Sequence, residues 1–138
     1  MTHLDTTMGR RIRVLVVDDH AGVRHAIAAF MTAVEDLELA GEAASGEEAI
    51  RLCPGILPDV VLMDASLPDM TGAAATWAIH QRWPGVRVLA MCTFQEEELV
   101  REMLRAGAVG YLLKNVSADE LARVIRAAQG VQRRELNS

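Results

Sequence analysis

"VLVVDDH", residues 14–20, decides how this chain folds. Four aliphatic residues, three of them β-branched valines, run without a polar break into Asp18, Asp19 and His20. An uninterrupted apolar run of this kind reads as a strand buried on both faces, as in a parallel sheet. The strand then ends by placing two like charges side by side. A helix start can use one such carboxylate as a cap. A bound cation can offset the repulsion of both.

Along the chain, apolar runs alternate with amphipathic stretches five times. Ile12–Val17 is the first strand. Val23, Ile27, Phe30, Met31 and Val34 follow at helical spacing. Residues 37–43 (LELAGEA) form a weaker strand. Ser45 with Glu48 makes a capping box that opens a second helix. Pro54 and Gly55 should leave that helix short or kinked. Residues 59–64 (DVVLMD) are the third strand, again apolar until an aspartate. Thr71–Arg82 is an alanine-rich helix stopped by Pro84. Residues 86–91 (VRVLAM) are the fourth strand. Thr93 with Glu96 caps the next helix, which carries Val100, Met103 and Leu104 and ends at Gly107. Residues 109–113 (VGYLL) are the fifth strand. Ser117 with Glu120 caps a last helix carrying Leu121, Val124 and Ile125.

The bulk composition agrees with one globular α/β domain. The chain has 138 residues, 51% hydrophobic and 24% charged, enough for a real core. No apolar run approaches the ~20 residues of a membrane span, and no signal peptide is visible. A cytoplasmic location and no membrane partner are therefore expected. The net charge of −5 argues against nucleic-acid binding by this chain itself. Arg10–Arg13 (RRIR) reads as a solvated strand edge. Cys53 and Cys92 show no metal-ligand spacing.

Alternating strands and helices place every strand's C-terminal end on one edge of a parallel sheet, where ligands bind. The first strand brings Asp18 and Asp19 there, the third Asp64, the fourth Cys92 and Thr93, the fifth Lys114. Each alone has a blander reading as a cap or a solvated lysine. Independent capping, however, predicts no convergence on one edge. Hard oxygen donors without a His or Cys pattern suit Mg²⁺. His20 reads as a local hydrogen-bonding residue, His25 and His80 as solvated. Trp77 lies one position off the helical line of Ala73, Thr76 and Ile79.

At this point the chain resembles a receiver domain of a two-component response regulator, of the subclass that precedes a LuxR/NarL-type helix-turn-helix. VLVVDDH, PDVVLMD, the LPDMTG loop and LRAGAVGYLLK carry the resemblance over about residues 12–130. It implies a flavodoxin-like receiver fold, five parallel strands in the order 2-1-3-4-5 with five helices on both faces. It implies that Asp64 accepts a phosphoryl group from a sensor histidine kinase. Asp18, Asp19, Asp64 and the carbonyl of Ser66 would hold Mg²⁺, and Lys114 would contact the phosphoryl group. Cys92, Thr93 and Tyr111 occupy the region of the switch. The family usually carries Thr or Ser where Cys92 stands, and Thr93 should point to the other side of the strand. Residues 1–11 are expected as a flexible extension, 12–130 as the receiver and 131–138 as the start of a linker. The output would be a homodimer that places a C-terminal DNA-binding domain, absent from this chain. Beyond its own phosphotransfer and dephosphorylation, no enzymatic activity is expected.

Two rival functions remain. A receiver with a decayed switch could act as an unphosphorylated interaction module, and Cys92 is its motive. A flavin- or nucleotide-binding protein of similar topology would need a Gly-rich phosphate loop after the first strand, which this chain lacks.

Overall fold

The first strand, β1 (Ile12–Val17), pairs on both sides, with β2 (Leu37–Ala43) and with β3 (Val60–Asp64). β4 (Arg87–Cys92) and β5 (Gly110–Leu113) extend the sheet beyond β3. All pairings are parallel and the order is β2-β1-β3-β4-β5. This is a computed structural model, and it describes residues 10–131. The expected extension over 1–11 and tail over 131–138 fall almost wholly outside the described residues.

Strand residues alternate between two cores, as the two-residue period of a pleated strand requires. Val14, Val16, Leu62, Leu89, Met91 and Leu112 face α1 (Ala21–Thr32) and α5 (Ala118–Gln129). Leu15, Val17, Val61, Met63 and Ala90 face α2 (Gly46–Ile56), α3 (Gly72–Arg82) and α4 (Glu97–Ala106). Val14 to Val17 are all fully buried, which explains why the opening stretch is apolar on both faces. Ile125, also fully buried, anchors α5, and truncating such a residue to alanine costs about 2–5 kcal/mol.

Helix starts follow the capping residues. Ser45, Thr71 and Ser117 each accept the amide of the residue three on, at 3.1, 3.0 and 3.1 Å. α4 ends at Gly107, whose φ of +124° is open to glycine and strained for other residues. Thr93 and Glu96 form the expected capping box, but it opens a 3₁₀ turn (Phe94–Glu96) ahead of α4.

Pro54 does not break α2. The helix runs through Pro54 and Gly55 to Ile56. The Leu57 amide donates to the Cys53 carbonyl at 2.8 Å, so the ladder resumes beyond the proline. The lost bond falls in the last turn, where little helix remains to be disrupted. His80 is half-buried rather than solvated: a Cβ placed on Gly107 would lie 2.9 Å from its ring. His25 and Trp77 are exposed, and the buried line of α3 is Gly72, Ala75, Thr76 and Ile79.

Two arginines tie distant segments. Arg13 donates to the Ile56 carbonyl at 2.8 Å and pairs with Glu38 at 3.0 Å, so it is more than a solvated edge. Arg87, the first residue of β4, donates from Nη2 and Nε to the Val131 carbonyl at 2.8 and 3.2 Å.

Candidate functional site

Because all five strands are parallel, their C-terminal ends share one edge, and the acidic residues meet there. Asp18 follows β1 and is fully buried. Its amide donates to the Ala43 carbonyl at 3.0 Å, and Arg24 Nη1 donates to its carbonyl at 2.6 Å. Arg24 Nε also reaches Glu42 at 3.1 Å, so one side chain fixes the end of β1 against the end of β2. Asp18 does not cap α1: the N-cap residue is His20, and the helix start has no side-chain cap bond. Instead, Asp18 Oδ1 accepts from the His20 amide at 2.8 Å.

Asp64, the last residue of β3, is 2% exposed. Its Oδ1 accepts from the Ser66 amide at 3.2 Å. Lys114 Nζ lies between the two buried carboxylates, 2.9 Å from Asp18 Oδ2 and 3.1 Å from Asp64 Oδ2. Asp19 stands at the mouth of the site with its side chain partly open to solvent, and His20 Nδ1 is 3.2 Å from both Asp18 Oδ1 and Asp19 Oδ1.

These surroundings separate the two buried acids. Burial pushes the Asp64 carboxyl up to about 6, and the neighbouring Asp18 charge adds to this against the pull of the Ser66 amide and Lys114. Burial opposes ionisation of Asp18 as well, but the His20 amide and Lys114 outweigh it and hold Asp18 below the usual carboxylate range. The same two carboxylates overcome the burial of Lys114 and hold it above its ordinary value.

One ligand atom from each of Asp18, Asp19, His20 and Asp64 falls within 4.8 Å of the others. Three carboxylates face a single ammonium, which leaves negative charge uncompensated. Oxygen donors with an open mouth for water are the set that suits Mg²⁺.

Cys92, at the end of β4, is buried, and its thiol donates to the Leu112 carbonyl at 3.6 Å. Burial pushes this thiol up, and Glu96 adds to the effect. Thr93 is exposed and committed to its capping box with Glu96. Tyr111 is 56% exposed on the edge strand. It lines a cavity of about 450 Å³ beneath α4 with Cys92, Phe94, Val100 and Leu104. The structure therefore brings Asp18, Asp19, Asp64 and Lys114 together, and sets Cys92 and Tyr111 around an adjoining hollow. Arg24 escaped the sequence reading. Its only signal was a charge beside Val23 in a mostly apolar helix.

A parallel 2-1-3-4-5 sheet with paired carboxylates, a third carboxylate and a lysine at its carboxyl edge defines a class of signalling receiver. The chain belongs to the response regulator receiver domain family, which matches residues 14–126. It is 42% identical over 117 residues to the transcriptional regulatory protein LiaR of Bacillus subtilis, covering 85% of this chain and 56% of that protein. It is 41% identical over 115 residues to the response regulator protein VraR of Staphylococcus aureus, covering 83% and 55%. The chain thus spans little more than half the length of these relatives. Among solved structures, the response regulator domain of Thermotoga maritima CheB superposes with a TM-score of 0.81 at 34% identity, covering 89% of this chain and 99% of that one. The receiver domain of the putative regulator NarL from Mycobacterium tuberculosis gives 0.81 at 32%, covering 88% and 99%. The unphosphorylated interaction module is not favoured, because the acidic pocket is intact.

Proposed function

We propose that Asp64 is the phosphoacceptor. The observation that carries this reading is Lys114 Nζ held 2.9 and 3.1 Å from the buried carboxylates of Asp18 and Asp64. A sensor histidine kinase is the donor. An Asp64 carboxylate oxygen attacks the phosphorus of the kinase phosphohistidine. The P–N bond breaks, and the imidazole nitrogen leaves with its electron pair and takes up a proton. The product is an acyl phosphate on Asp64. Lys114, a compact point charge, balances the oxygens of the transferred group. Asp18, Asp19, Asp64 and the Ser66 carbonyl would hold Mg²⁺, which when bound offsets the negative charge of phosphate and carboxylates alike.

Cys92 and Tyr111, around the hollow beneath α4, are the residues through which the modified site acts on its surroundings; Thr93 contributes the cap of the turn between them. The acyl phosphate adds charge beside β4 and biases a two-state arrangement of this region. The output we infer is a phosphorylation-dependent homodimer that positions a helix-turn-helix DNA-binding domain outside this chain, in the cytoplasm. The name of the LiaR relative and the −5 charge of this chain support an output of that kind. Among the described residues no helix is long and apolar enough to cross a membrane.

The test is labelling by acetyl phosphate with Mg²⁺, followed by intact mass. The chain should gain one phosphoryl group and Asp64→Asn none. Equal labelling of that variant would remove Asp64 from the role.

A further inference from the structure

The loop after β3 is fastened at its tip to a different element. The Asp69 carboxylate accepts the first two amides of α2, Gly46 N–H on Oδ1 and Glu47 N–H on Oδ2, each at 2.9 Å. Met70 packs on the same seam: a Cβ built on Gly46 would stand 2.5 Å from Met70 Cγ. The base of the loop is closed separately. The Gly72 amide donates to the Ala65 carbonyl at 3.2 Å, and Ser66 bridges antiparallel to Thr71. α2 does not need Asp69 to begin, because Ser45 accepts the Glu48 amide at 3.1 Å and Glu48 accepts the Ala44 amide at 2.8 Å.

We propose that Asp69 is a positioning residue of the phosphoacceptor site: by gripping the first two amides of α2 it sets where loop 65–72 lies, and so where Ser66 meets Asp64. This rests on the reading of Asp64 as phosphoacceptor. Consecutive amides at a helix start point the same way and carry the positive end of its dipole, so they hold a carboxylate well. The restraint spans 23 and 22 residues, so local chain stiffness cannot replace it. Ser66 is itself part of that base, bridging Thr71 below the anchored tip, and its amide donates to Asp64 Oδ1. Without Asp69 the Gly72–Ala65 bond still holds the ends of the loop and Asp64 stays on β3, but the released tip no longer steadies the Ser66–Thr71 bridge, and Ser66 gains freedom. Phosphotransfer continues, more slowly.

The experiment compares the rate of acyl-phosphate formation from acetyl phosphate and Mg²⁺ in the parent chain, Asp69→Ala, Asp69→Asn and Ser45→Ala. Ser45→Ala weakens the same helix start without touching the loop. Asp69→Ala should label on the order of tenfold more slowly, the usual effect of removing a residue that orients a site from behind. Asp69→Asn, with one acceptor oxygen, should fall between. The Ser66 amide should exchange faster with solvent in Asp69→Ala and unchanged in Ser45→Ala, which labels at the parent rate. Labelling of Asp69→Ala at the parent rate, or an equal slowing by Ser45→Ala, overturns the positioning role alone. A parent chain that takes no label, or an Asp64→Asn that takes it fully, overturns the phosphoacceptor reading and the positioning role with it.

Discussion

The thiol of Cys92 donates to the carbonyl of Leu112, 3.6 Å away across the β4–β5 pair. A sulfur bound in this way is a weak donor with little reason to turn toward a phosphoryl oxygen. A hydroxyl in its place would gain a charge-assisted bond on phosphorylation, worth ~1.5–3 kcal/mol. Cys92→Thr should therefore strengthen the response to beryllofluoride and Mg²⁺, read as association by light scattering and as the fluorescence change of Tyr111. An equal or weaker response in the variant would show that the thiol suffices.

Asp64 gives the metal-free protein a distinctive pH dependence. Its folded-state value, about 6, is raised above the usual 3.8. The stability it contributes is thus complete below about 3.8 and is lost as pH rises through about 6. Asp18 is shifted the other way, and its contribution disappears as pH falls through its lowered value. Asp64→Asn should raise the melting temperature at pH 7–8 by an amount equivalent to about 1–3 kcal/mol, with little effect near pH 4. Thermal scans across pH in EDTA read this directly.

The same protonation competes with metal. Mg²⁺ affinity should climb with pH through about 6, the value to which Asp64 is raised, and flatten above it. Asp19→Asn should lower the affinity at every pH without moving the midpoint. Calorimetric titration checks both, and a midpoint that moved with Asp19 would reassign the titrating group.

Lys114 compensates two buried acids. Lys114→Met should cost about 3–5 kcal/mol at pH 8, the usual penalty for stranding buried charge. The loss should shrink toward pH 5 as Asp64, already raised to about 6, takes up a proton. A pH-independent loss would point to packing of the lysine stem instead.

Much of this architecture was legible in the residues. Strands buried on both faces demand apolar runs such as Val14–Val17, and the capping pairs Ser45–Glu48 and Ser117–Glu120 announce helix starts from neighbouring positions. Pro54 misled because its cost depends on where the helix ends, and the end is set by Leu57 in a left-handed conformation. Arg24 and Asp69 stayed hidden for another reason. Their partners, Glu42 and the amides of Gly46 and Glu47, are distant in sequence and adjacent only after the sheet has formed. A carboxylate that binds main-chain amides leaves no matching residue type to search for. Thr93 could be read as a cap, but a capping box has the same sequence signature whether it opens an α-helix or, as here, a 3₁₀ turn.

The grip of Arg87 on the Val131 carbonyl has a consequence for how a message leaves the domain. Arg87 and Cys92 are the two ends of one strand, roughly 17 Å apart at the usual rise per residue. Val131, the last described residue, is therefore held at the opposite rim of the sheet to the one that gathers the carboxylates. A displacement that started at the carboxylate edge and travelled along β4 would arrive at the Arg87–Val131 clasp.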